Sequence, residues 1–330
     1  MANLPIRPRR NRRTASIRDL VRETELNPGH LIYPLFLHAG TDDQPIASMP
    51  GCTRWSVDGL VKEAGEAHAL GIPAVVLFPA IVEKLKTRDA REAWNAKGLV
   101  PRAIKALKKA YPTLTVITDV ALDPYNADGH DGLVSDDGVI LNDETVISLC
   151  KQALCHAEAG ADIVSPSDMM DGRVAALRAA LDKAGHTEVA ILSYTAKYAS
   201  AYYGPFRGAL DSAPKFGDKK TYQMDYGNAR EAEREAELDE AEGADMLMVK
   251  PATPYLDIIY RLRAKSNLPI AAYHVSGEYL MIKAAAASGW LDEKKIVLET
   301  LTGIRRAGAD MILTYFAKDV AKWKANPAAP

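Results

Sequence analysis

Two lysines stand where the chain should leave an apolar strand, and a lysine so placed can do carbonyl chemistry. In DMLMVKPATPY, residues 245–255, the apolar run Met246 to Val249 delivers Lys250 to a proline-rich loop. An apolar run bounded by Gly243 and Pro251 reads as a strand buried on both faces. Burial disfavours an ammonium ion and lowers a lysine pKa from its reference of about 10.4, leaving a neutral amine that attacks carbonyls. Taken alone, the segment favours a plainer reading, a strand-end lysine whose stem lies on apolar surface while its head reaches water. Lys197, in SYTAKYAS, shifts the balance, because it too lies just beyond an apolar strand and neighbours Lys250 in strand order. Two amines in one low-dielectric mouth repel as ammonium ions, so at least one is driven towards the neutral nucleophile that Schiff-base chemistry requires.

The surroundings of the lysines carry more chemistry. Asp119 opens ALDPYNADGHDG, which supplies Asp123, Asp128, His130 and Asp131. Such a loop invites a hard cation on oxygen ligands, and carboxylates that merely balance the two lysines explain it equally well. His130 has no HxxxH or cysteine partner, which is thin ground for zinc. Residues 199–223 are too long for a simple crossover and rich in tyrosine, glycine and cations. Tyr202, Tyr203, Arg207, Lys215, Lys219 and Lys220 suit a cover that clamps a carboxylate, with a solvated basic loop as the alternative.

These residues need a scaffold that gathers strand ends. Eight short apolar runs alternate with helical stretches, from Leu31–Leu37 through Ala74–Phe78, Leu114–Val120, Asp162–Val164, Val189–Leu192, Met246–Val249 and Ile270–Tyr273 to Met311–Leu313. The phrases AEAGADIV, AEGADMLMV and RAGADMIL repeat one joint, a helix closed by glycine and turning directly into a buried strand. Eight such units predict an α/β fold, a parallel (β/α)8 TIM barrel over residues 31–330 with an extended N-terminal arm over residues 1–30. An open doubly wound sheet is the runner-up, disfavoured because no glycine-rich phosphate fingerprint follows the first strand. In a barrel the active site lies at the C-terminal strand ends, where the titratable residues concentrate.

Composition narrows the function classes. The chain has 330 residues, 48% hydrophobic and 25% charged, and a net charge of −2, which gives no general reason to expect nucleic acid or membrane partners. Arg7, Arg9, Arg10, Arg12 and Arg13 crowd the arm without interleaved aromatics, which fits a subunit-contacting tail better than a nucleic acid ligand. The three cysteines, Cys52, Cys150 and Cys155, lack zinc-like spacing and read as reduced thiols. With no membrane-length apolar run, the expected compartment is the cytoplasm.

SYTAKYASAYYGPFR, SPSDMMDGR, GADMLMVKP with PYLDI, YHVSGE and RAGADMILTYF are long motifs. They resemble those of the porphobilinogen synthase (5-aminolevulinate dehydratase) family, and the likeness runs over nearly the whole chain. The resemblance implies condensation of two 5-aminolevulinate molecules into porphobilinogen with loss of two waters, through Schiff bases on two lysines. It places the propionate-side substrate on Lys250 and the acetate-side substrate on Lys197. Ser276 and Tyr315 match the residues that bind the first substrate's carboxylate, and Arg207, Lys219 and Gln223 those for the second. Asp119, Ser167 and Tyr203 match active-site polar residues. Zinc-using members carry cysteines at the positions of Ala121, Asp123 and Asp131, so the resemblance implies no active-site zinc here and leaves Asp123 and Asp131 as possible ligands of another metal. Glu235 matches the carboxylate that places an activating magnesium at a subunit contact. No organic cofactor is implied, and the expected assembly is a homo-octamer joined through the arms. A one-lysine Schiff-base aldolase, a metal-dependent barrel hydrolase and a non-catalytic carboxylate-binding protein are the competing readings, and each leaves the motif match unexplained.

Overall fold

A computed structural model of the chain describes residues 4–210 and 214–326. Eight parallel strands form the barrel: β1 Leu31–His38, β2 Ala74–Ala80, β3 Thr115–Val120, β4 Ile163–Pro166, β5 Ala190–Lys197, β6 Met246–Lys250, β7 Ile270–His274 and β8 Met311–Thr314. Each pairs with the next, and β8 closes on β1 through Leu31↔Ile312 and Ile32↔Leu313. The expected barrel is therefore present, and the open sheet is not.

Its strands are apolar because both of their faces are covered, β2 being buried along its whole length. The helix Leu99–Ala110 buries Val100, Ala103, Ile104 and Leu107, a spacing that lines one face with apolar groups. Emptying such a position, as in Leu107→Ala, costs about 2–5 kcal/mol.

The repeated glycine joint has a physical purpose. Gly160, Gly243 and Gly308 take φ of 103°, 99° and 122°, which an L side chain rarely adopts. At Gly308 a Cβ would also stand 2.6 Å from the Arg263 Cβ. The aspartate that follows each glycine caps the neighbouring strand. Asp162 accepts from the Val116 amide at 2.8 Å, Asp245 from Ile191 at 2.7 Å and Asp310 from Ile270 at 2.8 Å. These bonds stitch the bottom of the barrel, where stability resides, and leave the opposite end to chemistry.

Two features depart from the expected outline. Strand β5 runs on through Ser193, Tyr194 and Thr195 to Lys197, although its apolar run ends at Leu192. Polar residues stay in that strand because they are satisfied inside, Ser193 Oγ donating to Asp239 at 2.7 Å and accepting from Arg173 at 3.1 Å. The long segment after β5 contains a short helix, Gly204–Leu210. The arm forms a 3-10 turn, Pro8–Arg12, and a helix, Ala15–Leu20, neither of which buries a residue. Among the described residues no helix is long and apolar enough to cross a membrane.

Candidate active site

The two lysines are brought level by an irregularity. Met246 pairs with Leu192 and Leu247 with Ser193, a register that would set Lys250 opposite Ala196. The register shifts before Val249, so Val249 meets Ala196 and Lys250 meets Lys197. Because side chains alternate along a strand, this one-residue bulge puts both amines on the same face, at the C-terminal mouth. Both are buried, Lys197 5% and Lys250 7% exposed.

Their surroundings differ. Lys250 Nζ lies 4.9–5.2 Å from the ring centroids of Tyr194, Tyr203, Phe206 and Tyr273. Burial first, then the nearby Lys197 charge, lowers its pKa to about 7, against the opposing pull of Asp119. Lys197 Nζ instead donates to Asp131 Oδ2 at 3.0 Å and contacts the Ser167 carbonyl. The other Asp131 oxygen takes Lys219 Nζ at 2.6 Å, and Gln223 Nε2 approaches Oδ2 at 3.4 Å. Burial alone would raise the Asp131 pKa, but the two ammonium groups hold it well below the usual carboxylate range. Asp119 moves the other way. Burial raises it to about 7 although both lysines pull it down, so it can give or take a proton near neutrality.

The remaining predicted residues divide. Asp119, Asp123, Asp131, Ser167, Lys219 and Gln223 line the same cavity as the lysines, and so does Tyr203, whose hydroxyl donates to the Lys250 carbonyl at 3.0 Å. Ser276 and Tyr315 lie just behind it. Ser276 Oγ accepts from the Phe206 amide at 3.1 Å and bonds the Tyr202 carbonyl at 3.3 Å, so it holds the segment that covers the mouth. Tyr315 shares a 2.9 Å hydroxyl contact with Tyr273, one of the rings around Lys250. The Arg207 side chain lies outside the described residues. Of the basic residues in this segment, Lys215 pairs with Glu83 at 2.8 Å and Lys220 approaches Asp218 at 3.7 Å, both at the surface. The solvated-loop reading therefore holds for those two, while Lys219 is buried.

Asp123 and Asp131 both stand against amines. Both Asp131 oxygens face ammonium groups, and Asp123 Oδ2 stands 3.6 Å from Lys219 Nζ, so these carboxylates balance lysines. His130 is also engaged, with Tyr222 Oη and the Phe216 carbonyl each at 3.1 Å. Glu235 lies apart from the mouth, in a cleft shared with Asp171 and Glu231. Burial raises its pKa, Arg173 opposes this, and Asp239, Asp171 and Glu231 raise it further. That oxygen-rich, charge-strained setting suits a hard cation. Among the described residues, no three histidine, cysteine or acidic side chains converge to close a metal site by themselves.

Sequence reading overlooked the aromatic wall, Tyr194, Phe206 and Tyr273, although SYTAK and YHVSGE display two of its members beside strand ends. It also missed Arg173, a buried guanidinium that reaches Asp239 at 3.2 Å and the Tyr194 carbonyl at 3.4 Å. Nothing in the order of residues relates position 173 to 239.

A family model described as "Delta-aminolevulinic acid dehydratase" matches residues 5–323. A chloroplastic delta-aminolevulinic acid dehydratase of Physcomitrium patens is 61% identical over 322 residues, which span 97% of this chain and 74% of the relative. One from Arabidopsis thaliana, also chloroplastic, is 60% identical over 321 residues with the same two coverages. Among solved structures, delta-aminolevulinic acid dehydratase (porphobilinogen synthase) from Toxoplasma gondii, in complex with its reaction product porphobilinogen, superposes with a TM-score of 0.98. Its sequence is 55% identical, and the match covers 100% of this chain and 96% of the other.

Proposed function

The chain belongs to the delta-aminolevulinic acid dehydratase family, and from that premise we propose how its mouth divides the labour between two lysines. The enzyme is a hydro-lyase that condenses two molecules of 5-aminolevulinate to porphobilinogen in tetrapyrrole synthesis. The observation that carries the division is the direct pairing of Lys250 with Lys197 across β5 and β6.

Lys250, poised near neutrality, attacks the ketone carbon of one substrate. The resulting carbinolamine breaks its C–O bond, Asp119 gives the departing hydroxide a proton, and an iminium, a water and the Asp119 carboxylate remain. Lys197 holds the second substrate. Lys219, Gln223 and Arg207 receive that substrate's carboxylate, and Ser276 and Tyr315 receive the first one's once the covering segment has moved. The cavity measures about 40 Å3, against roughly 300–1,000 Å3 for typical ligand sites, so its lining must shift to admit substrate. Ser167 and Tyr203 position the lysines through the contacts described above.

Glu235, with Asp171 and Glu231 beside it, would hold magnesium together with water, as that ion usually keeps part of its hydration shell. When bound it would neutralise carboxylates on the helix Arg230–Ala241. The arm, with Ile6 81% and Leu20 84% exposed, presents apolar surface suited to a second copy of the chain in a homo-octamer. The relatives named above are chloroplastic, so they support a plastid rather than the cytoplasm expected from composition.

A porphobilinogen colour assay after chelation, with and without added magnesium, tests the reaction and the metal class together. Pyrrole formation that chelation weakens and magnesium restores is expected. Absence of porphobilinogen under both conditions would overturn the reading, and restoration by zinc alone would overturn the choice of metal.

A further inference from the structure

Of the four rings around Lys250, Tyr194 alone also approaches the second amine, its centroid lying 5.1 Å from Lys250 Nζ and 6.0 Å from Lys197 Nζ. It is wholly buried in β5, three positions before Lys197 on the same strand. Its hydroxyl lies beside the Asp119 carboxyl; burial first, then that carboxyl, raises the phenol well above its usual range. The strand that carries the ring is held from behind. Arg173 donates to the Tyr194 carbonyl at 3.4 Å and to Ser193 Oγ at 3.1 Å, and is itself held by Asp239. Tyr194 therefore belongs to the barrel wall, whereas Tyr203 and Phe206 belong to the covering segment.

We infer that Tyr194 is a positioning residue common to both amine sites, its ring face steadying the iminium formed on either lysine. The inference rests on the Schiff-base reading above. Forming an iminium turns a neutral carbinolamine into a cation in a dry mouth, where charge is costly unless something answers it. Lys197 has Asp131 for this purpose, but Lys250 forms no ion pair among the described residues and faces rings. An aromatic face attracts a cation most strongly where water is excluded. An ammonium is strongly hydrated and loses most on burial, while a substituted iminium spreads its charge and loses less. The rings thus favour the reaction's cation over the resting one. Because Tyr194 touches both positions, one side chain serves two covalent events.

The test uses the full-length protein with 5-aminolevulinate and borohydride, and quantifies reduced adducts at Lys197 and Lys250 by peptide mass spectrometry. Tyr194→Phe keeps the ring and should trap at both lysines within about threefold of the unaltered protein, while Tyr194→Leu should lose about tenfold at both. Tyr273→Leu removes a ring that reaches only Lys250 and should lower that adduct alone. Unchanged trapping in Tyr194→Leu, or a loss confined to Lys250, overturns the inference. No adduct at either lysine in the unaltered protein would instead overturn the Schiff-base reading. Thermal unfolding monitors the fold, and Tyr194→Met carries the same comparison if the leucine variant does not fold.

Discussion

The two halves of the mouth start from the same place in the pleat and end in different chemistry. Lys250 and Lys197 are partners across neighbouring strands and about equally buried, yet one stands among aromatic faces and the other in an ion-pair network with Asp131 and Lys219. Equal burial therefore leaves the two amines with different partners. What separates them is whether a carboxylate comes within bonding distance. The lysine without a carboxylate is the one whose pKa falls to about 7. The paired one is proposed to form its Schiff base beside Asp131, a carboxylate that balances the cation.

The comparison can be broken at several points. The largest effect is expected from Lys250→Ala, which removes the poised amine. Porphobilinogen formation should fall by about 1,000-fold or more, in line with the loss of a covalent catalyst, and near-normal turnover would sink the proposed role. Next comes Asp131→Asn, which leaves Lys197 and Lys219 buried without their shared anion. Breaking a buried pair costs about 3–5 kcal/mol, so a clear drop in thermal stability should accompany lost turnover, and an unchanged melting temperature would argue against the network.

A pH series sharpens the contrast. Below pH 7 Lys250 is mostly ammonium and cannot attack, and above it the amine is free. Its rate of borohydride-trapped adduct formation should climb with pH up to about 7 and then fall as Asp119, also near 7, loses the proton it gives to the departing hydroxide, whereas an ordinary lysine would keep gaining until about 10.4. A midpoint near 10 would show that the aromatic side does not depress this group. The smallest effect is expected at Glu235, away from both amines. Glu235→Ala should abolish stimulation by magnesium while changing metal-free turnover by less than about threefold, with titration of magnesium against initial rate as the measure. Full stimulation in that variant would move the proposed site elsewhere.

The sequence-based expectation held for the barrel, and the structure gathers most of the expected site residues at one mouth. Lys250, Lys197, Asp119 and the acidic loop were legible because charged groups beyond apolar runs violate the burial pattern and so stand out. Tyr194 and Tyr273 were not, because an aromatic residue in a strand is ordinary whether it packs a core or faces a cation. The dual reading of Asp123 and Asp131, metal ligands or balancing charges, could not be settled from composition, since either use needs the same carboxylates. The structure sets both carboxylates against Lys197 and Lys219.

Residue order by itself determined the eight barrel strands, their parallel arrangement and the end of the barrel that carries the lysines. Strand length and helix period are local properties, and the glycine joints that close the helices recur in plain view. Only the tertiary structure decided that the two amines face one another. A regular register would have set Lys250 against Ala196, and the bulge between Leu247 and Val249 replaces that pairing with Lys197. Side chains alternate with a period of two, so one residue of slip exchanges one face of a strand for the other. No residue type announces such a slip, because it arises from how two strands meet.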